Sequence, residues 1–195
     1  VYADQVERFM PALAAVADLH DGVIVAGGRS QPQPGTLPFA HIAQHSDEAA
    51  VMRAFARVGH DTIAKFLFTS GSVGTPKAVI NTQQMMCANA AMMMQVRPRD
   101  PDAPQPTFLD WMPWNHTMGG NALFNPVLIE GGTLYIDDGR PMPGLIDETL
   151  RNLREISPTY YANVPAGYAA LASAMEKDDA LCRSFFKNLG LMAYG

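Results

Sequence analysis

Short apolar runs rich in β-branched and aromatic residues alternate along the chain with stretches whose apolar residues fall at helical spacing, and this alternation constrains the fold most. The strand-like runs are Gly22–Ala26, Lys65–Thr69, Ala78–Ile80, Thr107–Met112, Thr133–Ile136, Tyr160–Ala162 and Leu189–Ala193. Between them the pattern predicts helices over Ala3–Leu19, with Val6, Phe9, Met10, Leu13, Val16 and Ala17 on one face, and over Asp47–Val58, capped by Ser46 and ended by Gly59. Further helices are predicted over 82–96, where Asn81 and Gln84 have capping-box spacing, and over 119–129, Leu145–Ile156 and Ala166–Lys177. Residues 27–40 and 98–106 are broken by Gly and Pro and read as loops. Strands alternating with helices imply an α/β fold with a largely parallel sheet and helices on both faces. Ligands in such sheets bind beyond the carboxyl ends of the strands, which directs attention to the loops beginning at Thr69 and Pro113. Residues 1–60 read as the end of a preceding subdomain or a connecting segment, and 61–195 as the core α/β unit, truncated at its C-terminal end.

Charge narrows the partner. The chain has 14 Lys+Arg against 19 Asp+Glu, a net charge of −5 and no basic run, which argues against a dedicated nucleic-acid or anionic-membrane binder. No run of about 18 apolar residues is present, so no membrane span is expected. Cys87 and Cys182 form neither a disulfide framework nor a C-x-x-C pair, which fits a reducing, cytoplasmic setting. Only 17% of residues are charged, against about 25% in an average soluble domain, so part of the surface is expected to be apolar and to self-associate or be covered. Val1-Tyr2-Ala3-Asp4 carries no signal-peptide pattern, and Leu189–Gly195 reads as a strand entering a loop; both ends are expected to be internal to a longer protein.

Chemistry concentrates in Thr69-Ser70-Gly71-Ser72-Val73-Gly74-Thr75-Pro76-Lys77. Small residues let backbone N–H groups approach a phosphate, hydroxyls add donors, and Lys77 adds a mobile cation. A Walker A loop would require Gly at Pro76 and Ser or Thr at Ala78, and no G-x-G-x-x-G is present. On composition alone a surface loop is the competing reading. Ser70-x-Ser72-x-Gly74 also approaches the G-x-S-x-G nucleophile elbow with His116 as a base, but Pro76 and a strand intervene where an elbow needs a helix. A serine hydrolase is therefore the remotest alternative.

The stretch Thr69–Lys77 resembles the phosphate loop of the adenylate-forming (ANL) superfamily of acyl-CoA synthetases, adenylation domains and luciferases. Asp110-Trp111-Met112-Pro113-Trp114-Asn115-His116-Thr117-Met118-Gly119-Gly120 resembles that superfamily's Pro-x-x-His segment. Within it, Trp111–Thr117, Gly132–Gly139 and Thr149–Ile156 look like feruloyl-CoA synthases, and the resemblance runs from about Ala64 to Gly195. It implies that Thr69, Ser70, Gly71, Ser72, Gly74, Thr75 and Lys77 hold the β- and γ-phosphates of ATP while a substrate carboxylate attacks the α-phosphorus. It further implies that His116 lies beside the acyl pocket as the catalytic candidate, that Trp114 and Val164 line that pocket, and that Gly195 begins the adenine-contacting loop. The implied partners are a small carboxylate, ATP and CoA, with Mg2+ in the full-length protein and no metal ligand assigned in this chain.

Val73 stands where this superfamily usually has Thr, removing a hydroxyl donor worth about 0.5–1.5 kcal/mol. The chain taken alone is not expected to be an active ligase, because the magnesium-linked carboxylate, the ribose-binding Asp and the C-terminal lysine that the resemblance implies would lie beyond Gly195. Another aryl- or fatty acyl-CoA ligase, an adenylation domain, and a non-catalytic nucleotide-binding or interaction module remain alternatives.

Other patterns take plainer readings. His41 and His45 have the i, i+4 spacing of a helical metal pair but lack the Glu of H-E-x-x-H. Met85, Met86, Met92, Met93 and Met94 read as adaptable core filler, Asp137-Asp138-Gly139 as a turn, and Asp147, Glu148, Arg151, Arg154 and Glu155 as a solvated helix face.

Overall fold

A computed structural model describes residues 2–3, 6–16, 24–26, 36–69, 74–98 and 100–195, which divide into compact units at residues 1–58 and 59–195. Ser70, Gly71, Ser72 and Val73, and residues 27–35 of the loop predicted over 27–40, lie outside the described residues.

The first unit holds β1 (Tyr2–Ala3), β2 (Ile24–Ala26) and β3 (Thr36–Pro38) in a three-stranded parallel sheet of that order. The long helix predicted from Ala3 is instead a 3-10 turn at Val6–Arg8 followed by α1 (Met10–Ala15). Pro11 is the reason: proline fits the first turn of a helix and breaks an interior, so α1 starts beside it. β3 and α2 (Phe39–Ala43) fall at the end of the stretch read as loop. Because α2 ends at Ala43, His41 and His45 do not share one helix. In α3 (Glu48–Phe55) the cap is Asp47, whose carboxylate accepts the Ala50 N–H at 2.8 Å, and not Ser46.

In the second unit β4 (Ile63–Thr69) and β5 (Lys77–Thr82) form an antiparallel hairpin, separate from the parallel sheet to which the sequence reading had joined them. Thr82 rather than Asn81 caps α4 (Gln83–Val96), accepting the Met85 N–H at 3.3 Å. Only Ala90 of α4 is buried, so the expected methionine core is not found: Met85, Met92, Met93 and Met94 are all exposed. Among the described residues α4 is covered along one stripe, too narrow to enclose an all-round apolar helix.

The rest of the unit alternates as the pattern predicts: β6 (Thr107–Asp110), a π-helical turn (Met118–Leu123), α5 (Phe124–Glu130), β7 (Thr133–Ile136), α6 (Ile146–Glu155), β8 (Tyr160–Asn163), α7 (Pro165–Met175), α8 (Asp179–Phe186) and β9 (Leu191–Tyr194). The four strands are parallel in the order β7-β6-β8-β9. Period-two alternation sends side chains to both faces. Leu109 and Tyr161 pack with Leu150 and Leu153 of α6, Leu171 of α7, and Leu181 and Phe185 of α8. Phe108 and Ala162 meet Leu123 and Val127 on the opposite face. The fold is thus α/β with helices on both sides of a parallel sheet, as expected.

Strand order positions the site. The chain goes from β6 outward to β7, then crosses back to add β8 on the other side of β6. Connections diverge at this switch point, which leaves a crevice at the carboxyl ends of β6 and β8, between Asp110 and Asn163.

Candidate functional site

His116 stands in the loop that leaves β6 at this crevice. Its backbone N–H donates to the Pro113 carbonyl at 3.0 Å, and its carbonyl accepts the Gly120 N–H at 2.9 Å. The Met118 N–H donates to Nδ1 at 3.2 Å, which makes Nδ1 the acceptor and leaves Nε2 to carry the ring proton of the neutral imidazole. The ring is exposed. This loop can fold so tightly onto the π-helical turn only because Gly119 and Gly120 follow: a Cβ on Gly119 would lie 2.7 Å from the Pro113 carbonyl oxygen, and one on Gly120 would collide with the Trp114 carbonyl. π-turns inside helices recur at functional sites, and here the turn directly follows the histidine.

Trp114 packs against Phe124, with ring centroids 5.1 Å apart and tilted by 53°, yet remains 46% exposed, so much of its surface is open to a ligand. Val164 follows β8 at the other side of the crevice and is the N-cap residue of α7; its N–H donates to Asn163 Oδ1 at 2.8 Å. Gly195 follows β9, and a Cβ there would lie 3.2 Å from Met118 Sδ, two residues from His116. The structure therefore sets His116, Trp114, Val164 and Gly195 on loops leaving the carboxyl ends of β6, β8 and β9.

The phosphate-loop residues come from the hairpin. Thr69 ends β4 and pairs with Lys77, the first residue of β5; both are exposed. Gly74 has φ +86°, a conformation that a side chain would strain, and Thr75 follows it in the descent to β5. A strand, not a helix, follows this loop, so the nucleophile-elbow geometry is not met. The base of the hairpin is tied to the π-helical turn: Lys65 Nζ donates to the Gly120 carbonyl at 2.6 Å, and Asn121 Nδ2 donates to Asn81 Oδ1 at 2.9 Å.

The sequence matches the family of AMP-binding enzymes over residues 5–191. The chain belongs to that family. No curated protein sequence matches the chain. Among solved structures, the chain is similar to the o-succinylbenzoate coenzyme A synthetase of Bacillus subtilis in complex with AMP, at 18% identity and a TM-score of 0.63 over 95% of this chain and 45% of that one. It is similar also to a malonyl-CoA ligase in a ternary product complex with methylmalonyl-CoA and AMP (16% identity, TM-score 0.64, 93% of this chain, 37% of that one). A third likeness is the luciferase-like enzyme from the nonluminescent mealworm Zophobas morio (17%, TM-score 0.62, 88% and 37%). At such identities the likeness is one of fold, and this chain spans less than half the length of these structures.

Several residues that shape the candidate site carry no role in the sequence reading. Trp111 Nε1 donates to Asn163 Oδ1 at 3.2 Å, and the Arg140 guanidinium lies 5.5 Å from the centre of the Trp111 ring. One indole thus fastens together the loops after β6, β7 and β8. Asp137 is a buried acceptor as well as a turn residue: it takes the Gly139 N–H at 2.9 Å, Thr149 Oγ1 at 2.5 Å and Asn152 Nδ2 at 3.0 Å. Asp110 accepts the Met112 N–H at 2.9 Å through Oδ1, while its Oδ2 is buried with no partner. Burial pushes the Asp110 carboxyl above its ordinary range, and the nearby Asp137 adds to the rise against the lowering effect of the Met112 N–H and Arg140. The available signal was Asp110-Trp111 near the end of a predicted strand.

A cavity of about 370 Å³ opens at the amino ends of the strands, lined by Arg97, Pro106, Phe108, Thr159, Tyr160 and Gly190. It lies at the edge opposite to His116, where this class of sheet does not place its ligand.

Proposed function

We propose that the full-length protein is an ATP-dependent acyl-CoA synthetase that activates an aromatic, feruloyl-type carboxylate as its acyl-adenylate and passes the acyl group to CoA. The observation that carries this reading is the convergence of the His116 loop, Val164 and Gly195 at the switch point, with a Gly/Ser/Thr loop on a hairpin tied to the same segment. In the first half-reaction a carboxylate oxygen bonds to the α-phosphorus as the bond to the bridging β-phosphate oxygen breaks, and pyrophosphate leaves. Lys77 and the loop Thr69–Thr75, with Ser70, Gly71, Ser72 and Gly74, would neutralise and orient the departing phosphates, a task of positioning and charge. His116 would border the carboxylate and Trp114 offer its open face to an aromatic ring. In the second half-reaction the CoA thiolate attacks the acyl carbonyl and AMP departs. Mg2+ would enter with the nucleotide and neutralise its phosphates.

Pyrophosphate release by the full-length protein with ATP, CoA and a panel of carboxylates tests this. Ferulate is expected to be turned over, with Lys77→Ala raising the ATP KM at least ~10-fold through loss of a charge-assisted contact. Val73→Thr should lower that KM. Turnover of o-succinylbenzoate or malonate in preference to ferulate would replace the aromatic assignment with another CoA ligase. ATP binding without pyrophosphate release from any acid would favour a non-catalytic nucleotide-binding module. The isolated 195 residues are expected to show no turnover.

A further inference from the structure

We infer that Lys65 is a positioning residue that couples the phosphate loop to the His116 loop, so that nucleotide binding on the hairpin orders the acyl side of the site. The inference rests on the nucleotide reading above, and its grounds are geometric. Lys65 and Asn81 are cross-strand partners on the hairpin and therefore point to one face of it. That face meets the π-helical turn at consecutive residues: Lys65 Nζ on the Gly120 carbonyl at 2.6 Å, and Asn81 Oδ1 on Asn121 Nδ2 at 2.9 Å. From there the path is short in both directions. Gly120 N–H donates to the His116 carbonyl at 2.9 Å, and Asn121 Nδ2 also donates to Thr117 Oγ1 at 3.1 Å, so both ties reach the histidine or its neighbour. In the other direction Lys65 lies four residues before Thr69, about 13 Å of strand held in register with β5.

The chemistry of the tie argues for a role beyond packing. Lys65 is the one charged residue in the strand Ile63–Thr69, and its neighbours Phe66, Leu67 and Phe68 are apolar. Burial lowers the pKa of its ammonium below the ordinary lysine value, a cost that an apolar residue at this place would avoid. The Asn121 Oδ1 is buried without a partner, so this amide is aligned for its two contacts at the expense of its own oxygen. A shift of β4 when phosphates fill the loop would be handed to Gly120 and on to His116, and by linkage carboxylate binding would act back on nucleotide affinity.

Hydrogen–deuterium exchange of the full-length protein with and without ATP tests this. In the wild type, ATP is expected to slow exchange over 69–77 and also, at least ~fivefold, over 116–121. In Lys65→Met, of similar length and without charge, the slowing over 69–77 should persist while that over 116–121 falls below ~twofold; Lys65→Arg should restore it. Equal slowing of both segments in wild type and Lys65→Met overturns the inference, as does a wild type slowed over 69–77 alone. No slowing over 69–77 in the wild type overturns the nucleotide reading itself, and the coupling with it.

Discussion

The parallel sheet and the β4–β5 hairpin both carry candidate site residues, yet they are held in place by different forces. In the sheet, Leu109 is 3% and Tyr161 1% exposed, under helices whose Leu153, Leu181 and Phe185 are almost wholly enclosed. In the hairpin, Phe66, Phe68, Val79 and Ile80 are about half exposed or more, and Leu67 alone is buried. The sheet is fixed by apolar burial on both faces, the hairpin by its own ladder and a few polar ties to the π-helical turn. The sheet is therefore a rigid platform, and the strands of the hairpin are held less firmly. Under the proposed function the sheet would shape the acyl group and the hairpin would carry the phosphate contacts.

The contrast predicts a graded series of effects. Phe185→Ala should destabilise the chain most, by about 3–5 kcal/mol in urea unfolding, since it opens a cavity under Tyr161. A loss below 1 kcal/mol would mean that the sheet core is not the rigid platform. Gly120→Ala should cost about 1–3 kcal/mol and displace the His116 loop, because the added methyl meets the Trp114 carbonyl. Asp110→Asn keeps an acceptor for the Met112 N–H and removes a buried charge. The folded-state pKa of Asp110 is raised, so its favourable contribution is present below the ordinary carboxylate value and is lost as pH rises through the raised one. The substitution should thus raise the melting temperature at pH 8, by a stabilisation on the order of 1 kcal/mol, with the gain vanishing near pH 4. A gain of equal size at both pH values would break the electrostatic account. Trp111→Phe preserves a ring beside Arg140 but drops the bond to Asn163, for a loss of about 0.5–1.5 kcal/mol and a lower kcat/KM for the carboxylate. Phe68→Ser on the hairpin should change stability by less than about 0.5 kcal/mol while reducing self-association in sedimentation.

Much of the sheet was legible because each strand is a compact apolar run bounded by turn residues, as in Thr133–Ile136, and α6 shows a clear apolar stripe. Less visible was α8. Asp178 accepts the Leu181 N–H at 2.9 Å as its N-cap, and Leu181 and Phe185 stand one helical turn apart, but the segment is short and charged enough to read as a connection. The caps were misassigned by one residue at Ser46/Asp47 and Asn81/Thr82, where neighbouring side chains are equally able to accept an N–H and backbone geometry chooses between them. The methionine helix misled for another reason: an apolar composition shows what can be buried, not whether a neighbour is there to bury it.

For the site, local spacing makes Thr69–Lys77 and Trp111–Gly120 candidates, because glycines, hydroxyls and a cation at close intervals suit the binding of phosphate. By itself the sequence also determined the α/β class, since strand and helix periods are written in consecutive residues. Tertiary structure alone decided that β4 and β5 stand apart as a hairpin, that the switch point falls between β6 and β8, and that Lys65 meets Gly120 across 55 residues. Those outcomes depend on which distant surfaces pack together, and a contact between residues far apart in the chain leaves no periodic trace in either of the segments that make it.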